Sequence, residues 1–510
     1  MFNITNISFR ERVICILYLT GLLHWYFFIN YGSPSFHAFD WVCIHQWLDV
    51  IRQALLTKTI PYHASYYLNE YLTGHYVWGD RFFATPYIIA SPHVLLMSFM
   101  SVPAFMTLQL MFIYSIGFLG IYRWIRKFNL SATASVFLLI LCCFNGAIVA
   151  RMGVGHLQLA SYMLIPYFLW LLYKFIEHEH ADNKIKLIIS IQYAFFLLFC
   201  LLQGANHTVY QMVLIGMLVV LFYPKQILWY ILSLFIFGIL ASYYIWPNLL
   251  FGAYMCRTDR VVFCGYGIQS GASGIHKIRI GGLFVIPINI LHHIWEGLTI
   301  AYNASNDATW EYNLYISAFG LMLVIAATII AVIKYKDKMN IRNVRFIFPA
   351  IIVTIASCHC IARIPFSFLQ HFVPLPAIDR LPSRLLMYPF FLILIISSIG
   401  FDNIFFILPG KIRSAIKWMV ILVLFCILMF HSFGWSVAQT EQHFNNNVIR
   451  DLVTQQFKTV IYNRQGDLQY KKIVLISYLI SFFCVIFCAT IYRYIKKDIS
   501  NCLEKTRKRA

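Results

Sequence analysis

Apolar residues occur in this chain as long blocks that recur from one end of the sequence to the other. A helix needs about 20 apolar residues to cross the hydrocarbon layer of a bilayer, and about 12 blocks approach that length. Backbone groups in lipid must be hydrogen-bonded within their own segment, so each block is predicted to be a membrane-spanning helix. The predicted cores are 12–30, 103–122, 131–149, 157–176, 185–203, 207–223, 226–246, 312–333, 346–363, 384–401, 415–435 and 473–492.

Three polar segments are too long to be simple connections between spans: residues 31–100, 247–311 and 436–471. A basic tail, 493–510, follows the last span. Residues 1–510 are therefore predicted to form a single polytopic membrane domain. A short polar run at 203–207 leaves open whether the two cores beside it are separate spans or one long apolar stretch.

Composition supports the same class of protein. Hydrophobic residues make up 60% of the chain and charged residues 12%, whereas a soluble domain carries about 25% charged residues. No small-residue cleavage site follows the first apolar block, so it is expected to be a retained span.

The distribution of Lys and Arg predicts an orientation. If the N-terminus is cytoplasmic, the short loops on its side and the basic tail carry most of the 40 Lys and Arg. This is the positive-inside pattern, so both termini are predicted to be cytoplasmic, in the inner (plasma) membrane, with the three long segments outside. The net charge of +20 then reflects topology and anionic lipid headgroups. The lipid bilayer is the expected partner, and nucleic acid is not.

The 13 cysteines lie mainly in apolar blocks, where a thiol behaves as a small hydrophobic group. Cys358 and Cys360 flank His359, but structural zinc needs four ligands and no second pair is nearby, so packing is the preferred interpretation. Cys256 and Cys264 share a predicted outer segment, and a disulfide between them is left open.

The first long segment holds the main candidate for catalysis. From Trp41 to Leu55 apolar positions recur at helical spacing, which predicts an amphipathic helix on the membrane surface. Asp40 stands just before this helix, where it could act simply as an N-cap. Alternatively, Asp40 is a general base at headgroup depth, because a carboxylate there can take a proton from an acceptor hydroxyl beside a reactive lipid headgroup.

An acidic residue soon after the first span, followed by a surface helix, resembles the arrangement in GT-C-fold glycosyltransferases, which use polyprenyl-phosphate sugars. Within that superfamily the chain is most similar to YfhO-type bacterial membrane proteins, over 31–180 and in scattered phrases of 300–400. The similar phrases are Ala-Ser-Pro-His-Val-Leu-Leu at 90–96, Arg-Trp-Ile-Arg-Lys-Phe at 123–128, Arg-Met-Gly-Val-Gly-His-Leu-Gln at 151–158, Glu-Tyr-Asn-Leu-Tyr-Ile at 311–316 and Leu-Pro-Ser-Arg-Leu-Leu at 381–386. The chain departs from the pattern at Phe39, where Gly is usual, and it has no large soluble C-terminal domain.

Four cationic residues are candidates for binding the donor phosphate. Arg151 and His156 flank two glycines in a short turn, where they could instead be interfacial anchors that snorkel to headgroups. Arg380 and Arg384 lie one helical turn apart before a predicted span and could chelate a phosphate, although Asp379 could pair with either.

Two further acids are candidates for orienting the acceptor. Glu311 precedes a span and could serve only as a favourable charge at a helix N-terminus. Asp80 is followed by Arg81, which could pair with it. A second acid facing Asp40 could also share a divalent cation, the one cofactor that the sequence leaves open.

The resemblance implies an all-α integral membrane fold, a GT-C-like bundle of about 12 transmembrane helices with an outer surface helix and long outer loops. It also implies a glycosyltransferase of the cell envelope that moves a sugar from a polyprenyl-phosphate donor to a glycan or lipid acceptor, with Asp40 as base. The alternative is a carrier or flippase for lipid-linked glycans. Charged residues in mid-span would favour transport, and they are few.

Overall fold

The computed structural model describes residues 8–30, 91–153, 155–255, 314–334, 387–445, 460–462 and 467–509, with short pieces between 44 and 82. The α-helices are α1 (Phe9–Asn30), α2 (Val102–Phe128), α3 (Ala132–Cys143), α4 (Gly146–Gly153), α5 (Ile165–Glu177), α6 (Asn183–Leu202), α7 (Asn206–Val220), α8 (Pro224–Leu240), α9 (Ser242–Met255), α10 (Ser317–Lys334), α11 (Met387–Phe401), α12 (Gly410–Asn445) and α13 (Asp467–Arg509). Two 3₁₀ helices (Pro92–Ser98 and Leu157–Leu164) and three short strands, β1 (His63–Ser65), β2 (Arg81–Phe82) and β3 (Val460–Tyr462), complete the described elements.

Seven helical stretches of the described residues are long and apolar enough to cross a membrane, and three shorter apolar helices accompany them. Large apolar side chains such as Leu23, Phe27, Phe430 and Phe483 are exposed on these helices. A soluble protein rarely leaves so many apolar side chains exposed in contiguous patches. The protein is therefore a helical membrane protein, as predicted.

The helices differ in detail from the predicted spans. The core 131–149 falls on α3 and α4, which are separated at residues 144–145, and 157–176 begins as a 3₁₀ helix. Gly204 adopts a positive φ of 83° between α6 and α7, so the apolar stretch there is two helices. The core 226–246 likewise falls on α8 and α9. The core 346–363 lies outside the described residues.

The chain divides into two compact units. Unit 1 comprises residues 1–52, 96–170 and 262–457, and unit 2 comprises residues 53–95, 171–261 and 458–510. Helix α5 begins in unit 1 and ends in unit 2.

In unit 1, α1 runs antiparallel to α2. Arg10, at the start of α1, donates to Asn129 Oδ1 at 3.0 Å, immediately after the end of α2. Further along, the Tyr18 and Ser115 hydroxyls are 2.8 Å apart. Gly21 has space only because it lacks a side chain, since a Cβ there would lie 2.0 Å from the Tyr114 hydroxyl.

Polar contacts connect the ends of several helices at one end of unit 1. Asp402, just after α11, accepts a hydrogen bond of 2.8 Å from Thr133 in the first turn of α3 and pairs with Lys417 of α12 at 2.9 Å. Lys334, the last residue of α10, donates to Asn403 at 2.7 Å. We call this end, where α1, α3 and α12 begin and α2, α10 and α11 end, the charged end. The opposite end of unit 1 is the far end.

Helices α10 and α11 are parallel neighbours. A Cβ on Gly400 of α11 would lie 1.9 Å from the carbonyl oxygen of Ala327 and 2.8 Å from the amide nitrogen of Ala331, both in α10. Three residues further along the sequence from Ala331 and from Gly400, Lys334 contacts Asn403. Contacts that advance together along two helices show that the helices point the same way, so both run from the far end to the charged end.

The first outer segment is partly described. Residues 44, 48, 51, 52, 55 and 56 are helical, within or next to the predicted surface helix at 41–55. Leu48 and Ile51 are buried and Leu56 is exposed, so the first two side chains pack on protein, and the surface position of the whole helix stays a prediction. Arg52 donates to the carbonyl oxygen of Met100 at 3.2 Å, which holds this segment beside the start of α2.

Unit 2 contains the only strands among the described residues, in a three-stranded antiparallel sheet of order β2-β1-β3. The central strand β1 lies in the segment 31–100 and pairs with β3 of the segment 436–471, two segments that are predicted to share one side of the membrane. Helix α9 packs on α13, where the Ser242 hydroxyl donates to the carbonyl oxygen of Ser477 at 2.8 Å.

Candidate functional site

Arg151 is the predicted site residue that the structure describes most fully. It lies on α4, an eight-residue helix whose side chains are all buried, and is itself fully buried. Its Nη1 donates to the carbonyl oxygen of Ala147 at 2.9 Å, and its Cζ lies 4.9 Å from the centroid of the Tyr162 ring. The guanidinium is therefore enclosed by protein, and the interpretation of Arg151 as a snorkelling anchor is wrong.

The turn after Arg151 has a local structural cause. The His156 amide donates to the carbonyl oxygen of Arg151 at 3.0 Å, and the Gly155 amide donates to that of Met152 at 3.3 Å. These two bonds form a Schellman motif, which requires a left-handed residue where Gly155 stands with φ of 87°. His156 is buried with 7% exposure, so it too is enclosed by protein. Gly155 is thus explained by helix termination, without a ligand.

The height of Arg151 in the bundle bears on function. Thr133 is at the charged end, and Arg151 follows it by 18 residues along α3 and α4. Sixteen of these eighteen residues are helical and rise about 24 Å, and the hydrocarbon layer is ~30 Å thick. If unit 1 spans a bilayer from the charged end, Arg151 lies close to the level of the lipid headgroups at the far end.

The break between α3 and α4 sets the position of Arg151. The side-chain Nδ2 of Asn145 donates to the carbonyl oxygens of Leu141 and Cys142, both at 3.0 Å. The side-chain Oδ1 accepts a hydrogen bond from the backbone amide of Ile148 at 3.2 Å. The Gly146 amide donates at 2.8 Å to the carbonyl oxygen of Tyr315, beside the start of α10. One buried side chain thus satisfies backbone groups on both sides of the break. The sequence signal was an Asn-Gly pair inside an apolar block.

A polar face on α12 was also missed from sequence. His431, Ser432, Trp435 and Ser436 are all buried in the half of α12 towards the far end. Ser432 hydrogen-bonds His24 of α1 across 3.1 Å, and the His431 ring lies 4.1 Å from that of Tyr315. Buried polar residues within a span are expensive and commonly functional.

The other predicted site residues, Asp40, Asp80, Glu311, Arg380 and Arg384, lie outside the described residues, as do Cys256 and Cys264. Their described neighbours are informative in unit 1. Asn30 precedes Asp40 by ten residues, and Leu314 and Met387 follow Glu311 and Arg384 by three residues each. These three described residues stand where α1 ends and where the chain enters α10 and α11. All three of these helix ends are at the far end.

Among the described residues, no group of three or more His, Cys, Asp and Glu side chains could hold a metal ion. No family model, curated protein or solved structure matches this chain.

Proposed function

We propose that this protein is a GT-C-type membrane glycosyltransferase that moves a sugar from a polyprenyl-phosphate donor to a glycan or lipid acceptor at the far end of unit 1. The observation that supports it most is a permanent cation, Arg151, buried in the bundle near headgroup height. A fixed cation in apolar surroundings stabilises an anion far more than it would in water.

Chain connectivity supports the same location for the other groups. Glu311 and Arg384 each precede a described far-end residue by three positions, so each Cα is within about 11 Å of it. Asp40 follows the far end of α1 by ten residues and precedes Arg52, which is held beside the start of α2. This connectivity supports the proposal that the base and the phosphate ligands share the far end of unit 1. In this proposal that end faces the outside of the inner membrane and both termini are cytoplasmic.

The proposed reaction is a single displacement. The acceptor hydroxyl oxygen attacks the anomeric carbon, its proton passes to Asp40, and the bond from that carbon to the phosphate oxygen breaks. The polyprenyl phosphate leaves with the electron pair, and Arg151, with His156, Arg380 and Arg384, stabilises its charge. Glu311 orients the acceptor. Inversion at the anomeric centre follows from a single in-line attack.

The carrier alternative needs the same anion site but no base. Within the described spans of unit 1, no carboxylate, Lys or Arg side chain lies between the charged end and Arg151. Ion-coupled carriers commonly place such groups near mid-span. The described spans of unit 1 therefore lack the carboxylate, Lys and Arg pattern of an ion-coupled carrier.

The test is a transfer assay with purified protein in proteoliposomes and a panel of labelled polyprenyl-phosphate sugars, with and without EDTA. Asp40→Asn retains a capping oxygen but cannot accept the proton, so we expect a folded protein whose transfer rate falls on the order of 10²- to 10⁴-fold. Asp49→Asn is the matched control and should retain the wild-type rate.

Thermal unfolding of both variants in detergent separates catalysis from folding. Wild-type transfer by a folded Asp40→Asn protein would refute the mechanism. If the protein translocates a lipid-linked glycan but transfers no sugar, and Asp40→Asn leaves the translocation rate unchanged, the carrier function is favoured. An effect of EDTA on wild-type transfer would reveal a divalent cation.

A further inference from the structure

The buried face of α12 changes character along the helix. Towards the charged end its buried side chains are aliphatic: Val420, Ile421, Leu424 and Leu428. In the other half they are His431, Ser432, Trp435 and Ser436. The lipid-facing side remains apolar there, since Phe430 and Phe433 are exposed. Within the described part 420–436, the buried polar side chains therefore occur in the half of α12 towards the far end, where buried polar groups are commonly functional.

Two of these side chains have clear structural roles. Ser432 contacts His24, and the Ser436 hydroxyl donates to the carbonyl oxygen of Phe28 at 3.1 Å, so both attach α12 to α1. Trp435 is different. It is 1% exposed, and its indole N–H meets no acceptor among the described residues. A buried Trp usually finds a partner for this group, so the unmatched donor calls for an acceptor.

Trp435 lies at a similar height to Arg151. Asp402 contacts both Thr133 and Lys417, which puts the two at one level. Arg151 is 18 residues beyond Thr133, and Trp435 is 18 residues beyond Lys417. Helix α12 packs against α4. Similar rises, apart from the break at residues 144–145, bring the guanidinium and the indole to neighbouring layers of unit 1.

We infer that Trp435 donates a hydrogen bond from its indole N–H to an oxygen of a phosphate that Arg151 attracts. This inference rests on the proposed function, of which it specifies the donor site. The ligand is a phosphate oxyanion, supplied by a polyprenyl phosphate, by a phospholipid or as free phosphate. A neutral N–H beside a cation is a suitable ligand for a phosphate oxygen. The cation supplies the attraction, and the hydrogen bond fixes the orientation of the phosphate.

The test compares Trp435→Phe with Trp25→Phe in the full-length protein in detergent. Phe keeps the aromatic ring and removes the N–H. Trp25 is the matched control because it is fully buried with an indole N–H that meets no described acceptor. The contacts of Ser432 with His24 and of Ser436 with Phe28 put Trp25 only about half a turn deeper than Trp435. The probes are polyprenyl phosphate, phosphatidylglycerol and inorganic phosphate, each measured by dissociation constant and by the ligand-induced rise in Tm.

We expect Trp435→Phe to weaken binding of polyprenyl phosphate by about tenfold or more, the usual effect of losing a hydrogen bond to a charged acceptor. Trp25→Phe should leave binding unchanged. Without ligand, the Tm of Trp435→Phe should equal or exceed that of the wild type, because an apolar ring replaces a buried unmatched donor. A lower ligand-free Tm would show that the N–H has an internal structural partner and would overturn the inference.

The probes distinguish the sources of the phosphate. Competition by inorganic phosphate would show that the oxyanion alone is recognised, and competition by phosphatidylglycerol would extend the site to phospholipids. Wild-type affinity in Trp435→Phe, or an equal loss in Trp25→Phe, would overturn the inference and leave the proposed function standing. If the wild-type protein binds none of the three probes, the proposed donor site fails with it.

Discussion

Gly400 should be intolerant of even a methyl group. The added Cβ would lie 1.9 Å from Ala327 O, 2.8 Å from Ala331 N and 2.9 Å from Ala327 C. All three atoms belong to the backbone of α10 and cannot move aside as a flexible side chain would. Gly400→Ala therefore requires α11 to move away from α10, and small residues at such contacts are what allow two spans to approach closely.

The expected change in the free energy of unfolding for Gly400→Ala follows from two opposing effects. Overpacking a well-packed interior costs about 1–3 kcal/mol and occasionally more, whereas replacing Gly by Ala in a helix gains up to about 1 kcal/mol. Since the contacts are with backbone, the cost should lie at the upper end. The expected net destabilisation is about 2 kcal/mol or more, with strain on the Lys334–Asn403 hydrogen bond at the helix ends.

Gly434 provides the matched control, because it is also within a long apolar helix of unit 1 and a Cβ there would meet nothing within 4 Å. Gly434→Ala should be neutral or more stable by up to about 1 kcal/mol. Stability is measured by thermal unfolding in detergent and by SDS titration. Equal stability of the two variants would refute the close packing of α10 and α11.

Two further predictions concern topology and phosphate binding. Because α10 and α11 run in the same direction, the chain between them must cross the membrane an odd number of times, as the predicted span 346–363 would. Reporter fusions at Asn303 and Ala377 should therefore agree with each other and oppose one at Lys338, and equal signals from all three would disprove the arrangement. Arg384→Ala should weaken use of the lipid donor without loss of fold, with Arg384→Lys restoring only part, since a point charge replaces a planar fork. Unchanged donor dependence in Arg384→Ala would remove this residue from the site.

Within the described residues hydropathy located helices but not their ends, and the count of about 12 spans stays a prediction. The predicted core 103–122 falls on α2, which continues through basic residues to Phe128, and 473–492 falls on α13, which runs from Asp467 to Arg509. The reason is that hydropathy detects the part of a helix within lipid. Backbone hydrogen bonding continues into water where the residues have good helix propensity.

The interior of the site was harder to predict. Arg151 was a candidate from its turn, but nothing in the sequence distinguishes an Arg that reaches lipid headgroups from one enclosed by neighbouring helices. The break at Asn145 and the polar face around Trp435 were missed because each consists of one or a few polar residues within an apolar block. Their meaning depends on which helix lies opposite, and that information is tertiary.

The small sheet of unit 2 has a consequence for biosynthesis. Strand β1 pairs with β2, which follows within about 20 residues, and with β3, roughly 400 residues later. A chain made from its N-terminus can form the first pairing early, but the second must wait until nearly all the spans have been inserted. Until then one edge of β1 has no strand beside it, on a ribosome-bound chain whose remaining helices are still being made. The pairing of β3 with β1 is thus a late step of assembly. A chain that stops before Val460 would leave the insertion machinery with this sheet incomplete.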